Sequence, residues 1–574
     1  MIGVAGIDWL SFGARRASGL APSLDALAGR GVALPLNASR GETGLAAWAS
    51  LATGRHPETH GVFLKDEPSP VGLRPTGRAS WRAPPVWARL AAAGIATGGV
   101  AWPASRDGAD WDGVHIDEAY PLPSGKSRSD WSLPRRCAPG LARAALREPR
   151  VHPTDITAAM LQPLVPDLAQ IDQRYDAELP RIAMAMAEAA SIQAAAVWLL
   201  QDPRPAAAFV HFDWLNKMRT LYGGRAEGPF SQVESGAWRF LDALIGRLAA
   251  LTAPDSRIQV VSPGWGGRPG LFLSSGGRRS LDPQLQSMDH LDVAPTLLAD
   301  FDLLDEDAPG RARLVGAAER PLRRAPAPVI HAPVPNDASL LAVAEEAGFV
   351  PPPAPPPQWW ADRAVTLAAL IVDRSPEQVL ALTAEALRLV PHHLGAVRLR
   401  ATALAMLEQV EELPKLADDL ERLAPGRGWA ALARGAYHVQ RGENALASPW
   451  LKQAETDPDT DTRLRVSALW LAAGRSDQAE RLCNAILRAD PSVASAEIGL
   501  SIAAVGRRDY IAAEAALRRI LRQDPGHATA CLQLARVLAL TGRQQEAQRF
   551  ADTARRLGAS DEAVHAAGQG RAFV

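Results

Sequence analysis

The sequence predicts two folded parts of different class, an α/β domain followed by an all-α domain of repeats. In the first half, short apolar runs alternate with amphipathic helical stretches, which is typical of a mostly parallel sheet covered by helices. The second half is helical throughout, and its prolines recur every 33 or 34 residues. A segment with eleven prolines separates the halves at residues 321–357. We therefore expect an α/β domain at 1–315, a linker at 316–358 and helical repeats at 359–574.

The apolar runs and the stretches between them supply the elements of the α/β domain. Helical patterns fall at Leu24–Ala28 and Ala237–Leu251. A long, alanine-rich stretch at 153–200 reads as a helical insertion or cap. The runs expected to form strands are Ile2–Ile7, Val32–Leu36, Ile95–Ala101, Ala207–Phe212 and Ile258–Ser262.

Composition narrows the classes of function. The 574 residues are enough for two to four domains. A formal net charge of −1 gives no overall electrostatic reason to bind nucleic acid or an anionic membrane. The three cysteines, Cys137, Cys483 and Cys531, are far apart and have no metal-binding spacing. This spacing argues against a disulfide framework and a thiolate zinc site, and favours a reducing compartment.

The N-terminus and the apolar stretches predict neither a signal peptide nor a membrane-spanning helix. The first residues lack the basic region of a signal peptide, and Asp8 interrupts their apolar run. The longest apolar stretch, near Ala194–Leu200, is far shorter than the ~20 residues that a spanning helix needs. We therefore expect a cytoplasmic protein with no membrane span and no nucleic-acid partner.

The proline-rich segment ends in the run Pro351–Pro357. Proline at this density removes backbone donors and favours an extended polyproline II conformation. The segment is interpreted as a semi-rigid linker. A proline-rich ligand for a partner domain is the alternative.

Several small residues repeat in register with the prolines of the second half. Glycine in a turn and proline at a helix end are the signals of paired helices. The prolines are Pro391, Pro425, Pro458, Pro491 and Pro525, the expected turn glycines are Gly442, Gly474, Gly506 and Gly542, the small residues seven positions earlier are Gly435, Ser467, Gly499 and Ala535, and the following alanines are Ala447, Ala479, Ala512 and Ala547. Pro449 departs from this pattern, since it falls inside a second helix.

This pattern resembles the tetratricopeptide repeat, over about six helix pairs from Trp360 to Leu557. The resemblance implies a stacked array whose groove binds a protein or peptide partner. Five arginines fall on the expected first helices and would make that groove basic, although a solvated helix face is an equal alternative. They are Arg398, Arg400, Arg434, Arg463 and Arg465.

Four segments of the first half together resemble the alkaline phosphatase superfamily, nearest to its type I phosphodiesterase and nucleotide pyrophosphatase branch. The most specific is Ala47–Val62, which is similar to the family signature WxSLxTGxxPxxHGV. Gly3–Asp8 and Phe209–Asp213 look like strands that end in metal-binding aspartates, and His290–Leu298 looks like the terminal DVAPTLL helix.

The resemblance implies a chemistry based on two divalent cations, usually zinc, at the carboxyl ends of parallel strands. The cations polarise the phosphoryl group, and a hydroxyl at a helix N-terminus attacks phosphorus. On this basis Asp8 and Asp213 are candidate metal ligands. Thr43 is the candidate nucleophile, although the family position itself falls on Gly44.

Other expected ligands are missing. The family histidine four residues after the second aspartate is Lys217. The Asp-His of the late SDHG segment is Pro263-Gly264, and the last histidine position is Gly267. Two carboxylates without imidazoles cannot hold a tetrahedral zinc pair, and the lysine adds charge that repels a cation. We therefore expect no cofactor, with zinc or another divalent cation only if the domain is active.

Simpler roles are open for several of these residues. Asp8 suits a helix or turn cap, and Asp213 with Lys217 suits an ordinary i, i+4 ion pair. His211 and Asp213 lie two apart, so a makeshift metal site is an alternative. The 16 tryptophans are interpreted as core residues, and Trp265 as a filler of the vacated metal cavity.

These observations favour a degenerate, non-catalytic alkaline-phosphatase-like domain fused to a repeat scaffold that acts through protein binding. The alternative is an active metal-dependent hydrolase of phosphomonoesters or phosphodiesters using Asp8, Thr43 and Asp213. A third possibility is an assembly subunit in envelope or surface-polysaccharide biogenesis, for which the sequence offers only analogy of fold.

Overall fold

The computed structural model describes residues 1–38, 42, 44–69, 72–106, 113–122, 133, 138, 140–172, 176–315, 322–326, 328, 356–491, 493–524, 526–557 and 559–571. The chain forms two compact units, Met1–Ala354 and Pro355–Val574. Most of the expected linker, the candidate nucleophile Thr43 and Cys137 lie outside the described residues.

The N-terminal unit is built on strands that are short and mostly buried. The strands are β1 (Ile2–Val4), β2 (Gly31–Asn37), β3 (Asp66–Ser69), β4 (Gly72–Pro75), β5 (Thr97–Val100), β6 (Val114–Ile116), β7 (Ala207–Phe212), β8 (Ile258–Ser262), β9 (Gly270–Ser275), β10 (Ser280–Leu281), β11 (Met288–Asp289), β12 (Leu303–Leu304), β13 (Leu314–Val315) and β14 (Arg323–Arg324). All five strands expected from the apolar runs are present.

Eight of these strands form one mixed sheet in the order β11-β2-β9-β8-β1-β7-β5-β6. Strand β1 lies between β7 and β8 and is parallel to both, with Gly3 opposite His211 and Ile2 opposite Val260. Strand β9 is antiparallel to both of its neighbours. The carboxyl ends of β1, β7 and β8 therefore meet at one edge of the sheet.

The helices of this unit cover both faces of the sheet. They are α1 (Trp9–Ala17), α2 (Pro22–Gly29), α3 (Gly44–Thr53), α4 (Pro57–His60), α5 (Val86–Ala92), α6 (Gly140–Arg147), α7 (Ala158–Leu161), α8 (Glu178–Gln201), α9 (Trp214–Tyr222), α10 (Val233–Leu251) and α11 (His290–Asp300). Successive strand residues point to opposite faces. Val210 and Val260 accordingly pack with α8, α9 and α10, whereas Phe209 and Val261 pack with α3, α5 and α11. The α/β expectation is confirmed.

The alanine-rich stretch expected to be helical from residue 153 differs from its prediction. Only the short α7 and a few 3-10 turns precede α8, which begins at Glu178. Pro163 and Pro166 account for part of this difference, because proline within a helix removes a hydrogen bond and clashes with the preceding turn. Helix α8 contacts β5 and β7 and carries twelve buried residues.

Helix α8 also meets the length and composition of a membrane-spanning helix, the one described helix to do so. Most of its apolar window is buried within the domain, as in the core helix of a water-soluble fold.

The described residues of the C-terminal unit form six helix pairs and one further helix. The helices are α12 (Pro357–Ile371), α13 (Pro376–Leu389), α14 (Leu394–Met406), α15 (Leu413–Leu423), α16 (Trp429–Gln440), α17 (Asn444–Ala454), α18 (Thr460–Ala472), α19 (Ser476–Ala489), α20 (Ala494–Gly506), α21 (Tyr510–Gln523), α22 (Ala528–Leu540), α23 (Gln544–Arg556) and α24 (Asp561–Gly568). Each first helix packs against the first helix of the next pair, as α14 does with α16 and α16 with α18. Helix α17 continues through Pro449.

The small residues of the repeat lie where paired helices cross. A Cβ atom added to Gly435 would lie 2.5 Å from Leu451 Cδ2, and one added to Gly499 would lie 2.7 Å from Cys483 Sγ. These positions therefore need glycine because a side chain from the partner helix fills the space. Cys483 is a buried core residue.

One repeat departs from the expected register. Gly442, Gly474 and Gly542 adopt the left-handed turn conformation, but Gly506 ends helix α20 and Arg508 takes the left-handed position instead, with φ of 61°. The turn is shifted by two residues, so the buried alanine of the next helix is Ala513 and not the predicted Ala512.

Candidate functional site

Asp8 lies just after β1, at the sheet edge where the family resemblance puts a metal ligand. It caps α1 by accepting hydrogen bonds from the backbone N–H of Ser11 at 2.9 Å and from Ser11 Oγ at 2.5 Å. Its carboxylate is fully buried. Such a carboxylate needs a cation or several donors to remain charged.

Arg219 supplies that cation from helix α9. Its Nη1 atom donates to Asp8 Oδ2 at 2.9 Å and to the backbone oxygen of Gly6 at 2.6 Å, and its Nη2 atom donates to Ser11 Oγ at 2.9 Å. A second carboxylate, Glu234 Oε1, lies 3.3 Å from Nε. Burial opposes ionisation of Asp8, but the hydrogen bonds from Ser11 and Arg219 hold its pKa below the usual value. The aspartate is therefore already neutralised by a guanidinium.

The segment that replaces the family's SDHG motif covers this pair. The ring of Trp265 lies 4.0 Å from the guanidinium carbon of Arg219, which is a cation–π contact. Gly264 is in the left-handed region with φ of 110°, and a Cβ there would lie 2.2 Å from the Arg268 backbone oxygen. A histidine at position 264 would therefore clash with the backbone. Trp265 therefore covers the guanidinium of Arg219, which replaces a metal cation beside Asp8.

Asp213 directly follows β7, next to β1, so both candidate ligands lie at the same sheet edge. Its partners are different, however. Asn216 Nδ2 donates to it at 3.0 Å, and Lys217 Nζ lies 3.8 Å away. That lysine also donates to both oxygens of Glu188, at 2.8 and 2.6 Å. Burial raises the pKa of Asp213 although Lys217 lies close by.

His211 does not complete a metal site with Asp213. Its ring packs edge-on against Trp48 at a centroid distance of 4.6 Å, and Trp102 lies 6.1 Å away. Burial lowers its pKa to about 3, so the ring is neutral. The histidine is thus part of an aromatic cluster behind the strand end.

These surroundings do not fit a pair of divalent cations. Such a centre needs about six oxygen and nitrogen ligands. Among the described residues, no group of three or more His, Cys, Asp or Glu side chains is placed to hold a metal ion. Each candidate aspartate instead faces its own side-chain cation, Arg219 or Lys217.

A second polar cluster, the Glu42 network, lies under the signature segment. Glu42 Oε2 accepts hydrogen bonds from Ser50 Oγ and His290 Nε2, both at 2.8 Å. Its other oxygen lies 3.4 Å from His56 Nδ1. Ser50 Oγ lies 2.9 Å from His60 Nε2. All of these side chains except His56 are buried.

The hydrogen-bond partners of the histidines show which ring nitrogens in the Glu42 network carry protons. The backbone N–H of Val62 donates to His60 Nδ1 at 3.1 Å, so Nε2 carries the proton and donates to Ser50. His290 Nδ1 lies 3.1 Å from the backbone oxygen of Asn37, so both of its ring nitrogens donate and the ring is a cation. The network therefore contains a neutral His60 and the His290 cation, which pairs with Glu42 and also lies 3.2 Å from Asp289 through Nδ1.

The pKa directions agree with these roles. Burial lowers the pKa of His60 to about 3. Burial also opposes charge on His290, but hydrogen bonds to Asp289 and Glu42 raise its pKa to about 10. Burial would likewise keep Glu42 neutral, yet its histidine partners hold its pKa far below the usual value.

The Glu42 network joins two of the four family-like segments. Ser50 and His60 belong to the signature segment, and His290 begins α11. Gly54 of the signature also packs on α11, because a Cβ there would lie 3.1 Å from the Leu291 backbone oxygen. In this chain the signature thus fixes α3 and α4 against α11.

We expect the two buried histidines to give opposite pH dependences. His290, with its raised pKa, stabilises the fold fully below pH 6.5 and loses this contribution as the pH rises towards 10. His60, with its lowered pKa, contributes above pH 6.5 and loses its contribution as the pH falls. Urea unfolding from pH 5 to 9 should therefore show a flatter alkaline limb for His290→Gln and a flatter acid limb for His60→Gln. Unchanged limbs would contradict the proton assignment.

Sequence reasoning found Asp8, Asp213 and the pairing of Asp213 with Lys217, but it missed Arg219 and Glu42. Arg219 lies two turns into α9, and no motif marks it. Glu42 is an isolated acid before α3, and only its neighbours in space show that it is buried. Gly44 begins α3 and has no hydroxyl, while Thr43 lies outside the described residues.

Comparisons with known proteins recognise both halves of the chain. The model of the family "Type I phosphodiesterase / nucleotide pyrophosphatase" matches residues 1–262. A tetratricopeptide repeat model matches residues 504–569. No curated protein matches the chain.

Solved structures similar to this chain include repeat proteins of low sequence identity. A tetratricopeptide repeat protein from Parabacteroides merdae is 15% identical, covering 41% of this chain and 90% of its own, with a TM-score of 0.31. The human IFIT1 dimer with PPP-AAAA is 14% identical, covering 38% of this chain and 54% of its own, with a TM-score of 0.31. Pseudomonas aeruginosa pilF is 15% identical, covering 36% of this chain and 96% of its own, with a TM-score of 0.28.

The α/β fold of the first unit and the helix pairs of the second agree with the two family matches. The chain joins an N-terminal domain of the type I phosphodiesterase and nucleotide pyrophosphatase family, within the alkaline phosphatase superfamily, to C-terminal tetratricopeptide repeats.

Proposed function

We propose that the N-terminal domain is a pseudoenzyme and that the chain acts as a cytoplasmic scaffold that binds a protein or peptide partner through its repeats. The contact of Arg219 with Asp8 carries the first half of this proposal. A buried carboxylate that already holds a guanidinium has no free charge to offer a divalent cation.

Electrostatics around the former site supports the same proposal. A metal bound by Asp8 would have to displace Arg219 from three acceptors, Asp8, Gly6 and Ser11. Asp213, the other candidate ligand, already lies beside Lys217, which is also ion-paired with Glu188. At an effective dielectric constant of about 20, two like unit charges about 4 Å apart repel by about 4 kcal/mol, so a metal ion beside Arg219 would be opposed.

The repeats support the second half of the proposal. Stacked helix pairs present a continuous face of first helices, which is the surface such arrays use for binding. All five arginines predicted to lie on first helices do so, on α14, α16 and α18. Three of them are neutralised by acids, as Arg400 is by Glu412 at 3.0 Å and Arg434 by Asp418 at 2.9 Å. The surface is therefore less basic than its arginines alone suggest.

The alternative is a metal-dependent phosphoric ester hydrolase. The family match over residues 1–262 favours it, and Asp8 and Asp213 do lie after neighbouring strands. It requires that Arg219 leave Asp8 and that Thr43 serve as the nucleophile.

The proposed scaffold function predicts that a partner binds to the repeat unit. Affinity capture from extract of the source cells with the full-length chain should retain a partner that residues 1–356 alone do not retain. Each unit has its own hydrophobic clusters, so the shorter chain should keep its fold, which circular dichroism can check. Equal capture by both chains would place binding on the N-terminal domain or the linker.

A further inference from the structure

The first helices of the repeat unit enclose a pocket, here called the α14–α18 pocket. Its walls come from three successive first helices, α14, α16 and α18, with one residue from α15. Apolar side chains form most of its surface. They include Ala401, Ala405, Trp429, Leu432, Ala433 and Leu469. It is therefore a hydrophobic hollow on the face that such arrays use for binding.

The size of the α14–α18 pocket suits a single side chain. Its volume is about 180 Å³. For comparison, an apolar cavity of about 150 Å³ in a protein interior accepts benzene. A leucine- or phenylalanine-sized group would therefore fill it.

The two arginines that line the α14–α18 pocket differ in their ion pairs. Arg465 is paired with Asp461 at 3.0 Å and with Asp373 at 3.3 Å. Arg398, by contrast, makes no ion pair with any residue in the described part of the chain. Its guanidinium carbon lies 5.3 Å from the centre of the Trp429 ring. One uncompensated cation thus stands at the edge of an apolar hollow.

We propose that the α14–α18 pocket binds a peptide segment of a partner protein that places one leucine- or phenylalanine-sized side chain in the cavity and a neighbouring carboxylate against Arg398. This inference rests on the proposed scaffold function and specifies its ligand. Charge complementarity selects the acid, because Arg398 has no ion pair with any described residue, whereas Arg465 and Asp461 of the same pocket pair with each other. Trp429 holds the guanidinium in place by its cation–π contact.

The apolar lining and the paired arginines disfavour nucleic acid as the occupant. Binding a phosphate backbone depends on several free cations acting together. Of the five arginines on these first helices, Arg400, Arg434 and Arg465 are already ion-paired. A peptide with one carboxylate needs only one free cation.

The test starts from a randomised dodecapeptide phage library panned against the full-length chain. Enriched peptides should share one large apolar residue within a few positions of Asp or Glu. Fluorescence anisotropy then gives Kd for one enriched peptide and each variant. Arg398→Glu should weaken binding at least roughly tenfold, because an attraction becomes a repulsion. Ala468→Trp, at an exposed position of the pocket wall, should weaken it by a similar factor by filling the cavity.

Matched controls separate these effects from changes in net charge and from misfolding. Arg388→Glu changes the net charge equally on α13, where the arginine is exposed and paired with Glu385. Ala515→Trp adds the same ring at an exposed position of α21. Both should alter Kd less than about twofold, as expected for exposed positions away from the ligand. Circular dichroism should show the same helix content for all variants.

The outcomes are distinct. Peptides without an acid, or Kd values unchanged by Arg398→Glu and Ala468→Trp, would overturn this inference while leaving partner binding by the repeats intact. Failure to enrich any peptide would also overturn it. The capture experiment with the full-length chain decides separately whether the scaffold function stands. Loss of binding only in the two pocket variants would support the inference.

Discussion

Replacing Arg219 with methionine should lower the free energy of unfolding of the N-terminal domain by about 3–5 kcal/mol. The change leaves Asp8 buried without its cation and removes donors from Gly6 and Ser11. Methionine keeps much of the volume against Trp265, so the loss should be mainly electrostatic. Equilibrium urea unfolding, followed by tryptophan fluorescence, measures it, since eleven of the 16 tryptophans lie at or before Trp265.

The pH dependence identifies Asp8 as the source of this loss. The lowered pKa of Asp8 means that its contribution is present above the unfolded value near 4 and is lost as the pH falls. The difference between wild type and Arg219→Met should therefore shrink below pH 4. The double variant Asp8→Asn/Arg219→Met should recover part of the stability. The control Arg181→Met, at an exposed ion pair with Glu178, should change little. A loss independent of pH would contradict the account.

Replacing Glu42 with alanine should lower the free energy of unfolding by about 3 kcal/mol, because it leaves the buried His290 cation with only the half-exposed Asp289 carboxylate as its partner. Ser50 would also lose its acceptor, and the contact between the signature segment and α11 would weaken. The same unfolding measurement applies. It should be made at pH 6.5, where the ion pair is intact.

Glu306→Ala provides the control for the Glu42 network. Its carboxylate is more than half exposed and lies 3.7 Å from Arg324, so its loss should cost at most about 1 kcal/mol. Glu42→Gln, which preserves shape and some hydrogen bonds, should fall between the two. If Glu42→Ala were as mild as the control, the network would not hold α11 in place.

The fold was predictable from the sequence because it follows from patterns that are local. The apolar run Ile258–Ser262 is a strand with the predicted bounds, and the prolines of the second half do mark helix pairs. What the sequence did not show was β9, whose antiparallel position depends on its neighbours β2 and β8. The sequence also did not show that the left-handed turn residue is Arg508 instead of Gly506, since arginine rarely adopts a left-handed conformation.

The candidate site was predictable only in part. The motifs located Asp8 and Asp213 and showed which ligands are missing, because those are differences at aligned positions. They could not show that Arg219 takes the place of a metal cation. Arg219 is 211 residues away from Asp8 in the chain. Long-range contacts between charged side chains have no local signature. The same reason hid the partnership of Glu42 with His290.

The central claim is that Arg219, and not a metal ion, neutralises Asp8. Metal analysis of the full-length protein, purified without chelator in buffer containing zinc, tests it most directly, together with hydrolysis of p-nitrophenyl phosphate and bis(p-nitrophenyl) phosphate. We predict well below one equivalent of bound metal and no hydrolysis above that of Asp8→Asn. Two equivalents of zinc, with hydrolysis abolished by Asp8→Asn, would contradict the account and establish a metal-dependent hydrolase.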